Sequence, residues 1–165
     1  MKYTNILYRD DDVNVYTDAF EFKKLHQQFI DKNQVHTVAV IMKDLWENHA
    51  LFWYLATAPL LQVELHGWEH KDYSLLSYEE CYSDIQKSLT YWETNYTRMV
   101  YPNNKGITVY KSITTFFAPW NKESENIKQA CADLGLRFCN VKGGIWEKNK
   151  IKSFHWWNII DGWKL

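Results

Sequence analysis

Two histidines, His66 and His70, bracket the short stretch HGWEH at the end of an apolar run. Neutral imidazole is a ready ligand for zinc-like ions, and two histidines four apart in one helical turn present their rings to one point. The same spacing also suits two ordinary polar residues at a strand end. A second feature bears on the choice. Asp10, Asp11 and Asp12 stand side by side after another apolar run, NILY at 5–8. Adjacent carboxylates repel, and a buried one needs a partner or a cation. One of these aspartates with His66 and His70 supplies three ligands and leaves one position open, the pattern of a catalytic Zn(II) site. The stretch is not the zincin HExxH, because Gly67 stands where the glutamate would be and a strand precedes it. Arg9 is an internal partner for the aspartates, either orienting one of them or forming a plain ion pair.

Further along, His155 lies in SFHWW among aromatics. An apolar surround disfavours imidazolium, which suits proton transfer near neutrality; a core histidine bonded to backbone is the alternative. Trp68, Trp120, Trp156 and Trp157 sit beside these polar motifs. They are candidates for a platform against the apolar face of a sugar, or else for a packed rim.

The elements that must position these residues alternate. Strand-like runs occur at NILY (5–8), HTVAVIM (36–42), LLQVEL (60–65), SITTFF (112–117), LRFCNV (136–141) and IKSF (151–154). Most are continuous in hydrophobicity, as strands buried on both faces are. Helical patterns lie between them. Asp18 with Glu21 resembles a capping box ahead of Phe22, Leu25 and Phe29. Ser77 with Glu80 opens a longer helix with Tyr78, Cys81, Tyr82, Ile85, Leu89 and Trp92 on one stripe. Asn121 is positioned to cap a third, closed by Gly135, and a less regular one falls near 45–57. Trp53, Trp92 and Trp163 fall in core-like patterns. The alternation predicts an α/β fold of right-handed β-α-β units around a parallel sheet. A full eightfold barrel takes about 250 residues, so a reduced or incomplete (β/α) barrel is expected, as one domain over residues 1–165. In such a fold the acidic cluster, the histidine pair, APWN at 118–121 and His155 all follow strands, and therefore meet on one face.

Composition narrows the function. The 19 basic and 20 acidic residues are interspersed, for a net charge of -1, which argues against a nucleic-acid partner. No run is apolar for long enough to span a bilayer and no signal-peptide pattern opens the chain, so no membrane partner and a cytoplasmic location are expected. Three cysteines without a CxxC pair suggest neither a disulfide framework nor a thiolate metal site.

Taken in order, these motifs resemble those of the polysaccharide deacetylases, metal-dependent carbohydrate esterases (carbohydrate esterase family 4) on an incomplete barrel. YRDDDV matches the family's paired aspartates, HGWEH its H-x-x-x-H, Pro119 and Trp120 its Pro-aromatic motif, and His155 its last histidine. The resemblance implies Asp11 as general base and His155 as general acid. It implies Asp12, His66 and His70 as ligands of a divalent ion, most naturally Zn(II), with Ni(II), Co(II) or Mn(II) as alternatives. Asp10 with Asp11 is the other register of the aspartate pair. Trp68, Pro119, Trp120 and Trp156 are the implied substrate contacts, and the implied reaction removes acetyl groups from an N-acetylated sugar. The family's Arg two residues before the motif Pro is replaced by Phe117, and Arg9 is the residue at hand to take over its pairing. The rivals are a carbohydrate-binding relative without activity and a hydrolase of another substrate, such as a phosphoester.

Overall fold

The computed structural model describes residues 8–100, 111–140, 144–147 and 150–152. His155, Trp156, Trp157 and Trp163 lie outside the described residues. In chain order the elements are β1 (Tyr8–Val13), α1 (Ala19–Asp31), β2 (His36–Val40), α2 (His49–Thr57), β3 (Leu61–Leu65) and α3 (Tyr78–Val100). Then come β4 (Thr115–Phe117), α4 (Glu125–Asp133), β5 (Arg137–Asn140), β6 (Gly144–Glu147) and β7 (Lys150–Lys152). The strands form one sheet in the order of the chain, β1 to β7. That order is the one a (β/α) barrel follows before closure, and among the described residues β1 and β7 are not paired.

Strands β1 to β5 are parallel, as expected, but β6 is antiparallel to β5 and β7 to β6. The alternation of strands and helices predicts a parallel sheet and no strand at β6. Only residues 141–143 separate β5 from β6, too few for the crossover that a parallel neighbour requires. The expected strand at IKSF is β7 in part, and it regains the direction of β5.

Alternation along the strands sorts the side chains to two faces. Val38, Val40, Phe116 and Phe138 join the main core beneath the helices, while Ala39, Phe117 and Cys139 form a separate small cluster. In β3 the carboxylate of Glu64, paired in register with Ala39, is 2% exposed. It accepts from the backbone N–H groups of Thr114 (2.8 Å) and Thr115 (2.6 Å), from the Thr114 hydroxyl (2.9 Å) and from Gln62 Nε2 (2.7 Å). Strands β3 and β4 share only the register pair Leu65 with Phe116, so this carboxylate does much of the joining at that seam.

The helices begin where their caps predict, with one exception. Asp18 accepts from the N–H groups of Phe20 and Glu21, and Ser77 and Glu80 complete a reciprocal capping box. The cap of α4 is Ser124, which accepts from Ile127 N–H; Asn121 instead takes a left-handed conformation in the preceding turn, at φ 52°. On α1 the buried positions are Phe22 and His26, whereas Leu25 is exposed, a displacement of one residue from the expected stripe. Trp53 is 46% exposed and is not core, unlike Trp92. All three cysteines are buried and free. Among the described residues no helix is long and apolar enough to cross a membrane.

Candidate metal centre

The aspartates lie within β1 rather than after it. Asp10 is in register with Val38 and Val13 with Val40, so β1 carries one residue more than β2 over this interval. The surplus is absorbed as a bulge at Asp11 and Asp12, with Asp12 left-handed at φ 64°. Aspartate tolerates that conformation better than most residues. The bulge takes Asp12 out of the ladder and sends its neighbours to different surroundings.

Asp12 meets the histidine pair. Its Oδ1 lies 3.3 Å from His66 Nε2 and 3.1 Å from His70 Nε2. One ligand atom from each of the three residues falls within 4.8 Å of the other two. Tetrahedral coordination at ~2.0–2.1 Å bond lengths separates ligand atoms by about 3.3 Å, so the spacing suits a divalent ion. The histidines do not share a helical turn, as their spacing alone suggested. His66 directly follows β3, Gly67 turns the chain at φ 94°, and an irregular loop carries His70 back beside it, ring centroids 5.1 Å apart.

The hydrogen bonding of His66 supports the fit. Its Nδ1 lies 2.8 Å from the carbonyl oxygen of Phe117, which can only accept, so Nδ1 carries a proton. In the neutral form of the ring, the lone pair of Nε2 then faces a carboxylate oxygen. Two acceptors facing each other at this distance call for a positive charge between them, a proton or a metal ion. When Nε2 also carries a proton, its hydrogen bond to Asp12 holds that carboxyl below its ordinary range despite partial burial. Burial moves Asp10 the other way, with smaller contributions from Asp11 and Asp12.

Asp11 takes a third position. Arg9 Nη2 donates to its Oδ2 at 2.6 Å, and the Arg9 guanidinium lies 4.4 Å from the centroid of the Phe117 ring. Asp11 Oδ1 is buried and has no hydrogen-bond partner among the described residues. Pro119 is buried and opens a 3-10 turn in which Trp120 is left-handed at φ 58°. That backbone is costly for a tryptophan, and it leaves the indole 62% exposed with its ring against His70, centroids 4.5 Å apart. Trp68 is placed differently: its ring packs edge-on to Tyr91 and has Lys87 Nζ 3.9 Å from its centroid. The structure thus brings Asp12, His66, His70 and Trp120 together, with Asp11 next to Asp12.

Three further residues shape the loop between the histidines and carried no catalytic pattern. Asp84 on α3 accepts from Trp68 N–H at 3.1 Å, from Lys71 Nζ at 3.0 Å and from the Tyr73 hydroxyl. Tyr73 is buried, and a Cβ on Gly67 would lie 2.3 Å from its hydroxyl oxygen. The signal for Asp84 was an acid beside the apolar stripe of α3, three residues after Cys81.

No family model and no curated protein sequence matches the chain. Solved structures do match its shape. A carbohydrate esterase family 4 pseudoenzyme from Bacillus anthracis aligns with TM-score 0.61 at 14% identity, over 82% of this chain and 43% of that one. A mutant of that pseudoenzyme, described as having restored enzymatic activity, aligns with TM-score 0.61 at 12% identity, over 82% and 45%. A family 4 carbohydrate esterase from Streptomyces lividans, in complex with acetate, aligns with TM-score 0.59 at 11% identity, over 80% and 60%. The chain has a polysaccharide deacetylase-like fold. It spans less than half the length of the Bacillus anthracis protein and 60% of the Streptomyces lividans esterase. Within the deacetylase-like fold, the α/β sheet of the described residues fits the reduced or incomplete barrel expected from the sequence.

Proposed function

We propose that this protein is a metal-dependent hydrolase that removes acetyl groups from an N-acetylated carbohydrate. The observation that carries the reading is the convergence of Asp12, His66 and His70 within 4.8 Å. The deacetylase-like fold supports it, and so does the acetate held by the Streptomyces lividans esterase of similar fold. Asp12, His66 and His70 would hold the ion, with Zn(II) the natural choice for two imidazoles and a carboxylate. When bound, such an ion supplies Lewis-acid polarisation of the acetyl carbonyl and lowers the pKa of a coordinated water.

The remaining work belongs to the chain. Asp11 takes the proton of the attacking water on Oδ1, the buried oxygen without a partner among the described residues, while Arg9 engages Oδ2. Water adds to the acetyl carbonyl carbon, the carbon–nitrogen bond breaks, and the departing amine needs a proton. His155 is proposed as its donor, on its place in the motif order alone. The exposed Trp120 ring beside His70 offers an apolar surface to the sugar. The products are acetate and a free amino sugar.

A second reading is favoured by the Bacillus anthracis neighbour, a pseudoenzyme. On that reading the fold and the aromatic surface bind a glycan without turning it over. One experiment separates the two: metal content and acetate release on a panel of N-acetylated oligosaccharides, comparing the unmodified protein with Asp12→Ala and His70→Ala. One equivalent of divalent ion and acetate release, both lost in the variants, supports the hydrolase. Metal binding and glycan binding without acetate supports the inert relative. An unmodified protein that takes up no Zn(II) or Ni(II) defeats the metal-dependent reading.

A further inference from the structure

The two histidines of the proposed site are held in different ways. His66 is fixed by its backbone N–H bond to the Val40 carbonyl at the end of β2 and by its Nδ1–H bond to Phe117. Among the described residues no such bond orients the His70 ring, which meets Asp12 and the Trp120 ring. The position of His70 therefore depends on the backbone of the loop that carries it. From α3, Tyr91 and Lys87 pack on the Trp68 ring, and the side chain that hydrogen-bonds the loop is Asp84. Asp84 accepts from Trp68 N–H, two residues before His70, and from Lys71 Nζ, one residue after it, so its carboxylate brackets His70 on both sides. Its third donor, the Tyr73 hydroxyl, ties the same carboxylate to a ring packed edge-on against Phe116, centroids 5.0 Å apart. Phe116 precedes the residue whose carbonyl orients His66. Asp84 is itself well covered, with a side chain 9% exposed, so its charge is satisfied by these three donors rather than by solvent.

We infer that Asp84, with Tyr73 as its bridge to β4, is the positioning residue of this metal site: it sets the distance of His70 from His66 without touching ion or substrate. The inference rests on the metal reading above. An asparagine at 84 is the sharpest probe. One of its two polar atoms becomes an amide nitrogen that must face a donor, Lys71 Nζ on one side or Trp68 N–H and the Tyr73 hydroxyl on the other.

The test is Co(II) binding by the full chain, read as a dissociation constant by chelator competition and as the visible absorption of the bound ion. Asp84→Asn is expected to weaken Co(II) binding on the order of ten- to a hundredfold and to alter the absorption band. Tyr73→Phe, a milder change for the fold, is expected to weaken binding by a smaller factor. Ser77→Ala removes the cap of α3 and serves as the control, lowering the melting temperature while leaving Co(II) affinity unchanged. If the unmodified protein binds Co(II) and Asp84→Asn and Tyr73→Phe bind it equally well, the positioning role is wrong and the metal reading stands. If Ser77→Ala weakens binding as much as Asp84→Asn, the effect belongs to the fold and the role is likewise refuted. If the unmodified protein takes up no Co(II), both readings fall.

Discussion

Arg9 Nη2 stands 2.6 Å from Asp11 Oδ2, while Asp11 Oδ1, buried, has no partner among the described residues. A guanidinium so placed holds one carboxylate oxygen and leaves the other as the acceptor. Its own position comes from the Phe117 ring beneath it. Arg9→Ala is therefore expected to lower the rate of acetate release by about 10²-fold while metal affinity stays near that of the unmodified protein. Adding Phe117→Arg to that variant returns a cation to the same spot from β4 and is expected to recover part of the rate. Steady-state kinetics alongside metal titration checks both. A loss of metal binding in Arg9→Ala would instead make the arginine a structural support.

Gly67→Ala tests the turn between the ligands. An added Cβ meets the hydroxyl of a buried tyrosine at 2.3 Å, and the φ of 94° is strained for any L side chain. A lower melting temperature and weaker metal binding are expected. Combining it with Tyr73→Phe removes the hydroxyl but not the backbone strain, so recovery of the melting temperature should be incomplete. Full recovery would show that the contact alone mattered.

The seam between β3 and β4 depends on Glu64. Glu64→Gln keeps the volume but turns an amide NH₂ towards a set of donors, and a loss of about 2–4 kcal/mol in unfolding free energy is expected. Chemical denaturation measures it. A loss below about 0.5 kcal/mol would mean that the strands hold together without the carboxylate.

Acid should destabilise the fold through a buried histidine pair between α1 and β2. His26 Nε2 lies 2.9 Å from the Pro59 carbonyl and so donates to it, leaving Nδ1 to accept from His36 Nδ1, 3.2 Å away. Burial, then the neighbouring His26, pushes His36 down to about 4 from its ordinary 6.5. The unfolded chain thus binds a proton between these values that the folded chain refuses. Stability from this residue is complete above about pH 6.5 and declines as the pH falls towards 4, by about 2 kcal/mol at pH 5. Unfolding at pH 7 and pH 5 checks the sign, and His36→Phe should flatten most of this slope. An unchanged slope in that variant would assign the acid sensitivity elsewhere.

The sequence by itself determined what depends on a few neighbouring residues. The apolar runs became β2, β3 and β5, the polar caps at Asp18 and Ser77 opened α1 and α3, and the order of strands and helices predicted the α/β sheet. The chemistry of the ligands was legible too, because His66, His70 and the aspartates are unusual at strand ends whatever surrounds them. Tertiary structure alone decided which aspartate faces which partner. A bulge of one residue in β1 sends Asp12 to the histidines and Asp11 to Arg9, and a single residue of register reverses the face of every side chain. It also decided that β6 runs antiparallel, that Phe117 supports Arg9 from three strands away, and that Asp84 grips the loop between the histidines. Helical and strand periods repeat within a few residues and leave a local signature. Contacts across tens of residues arise from register, bulges and packing, which no local pattern encodes.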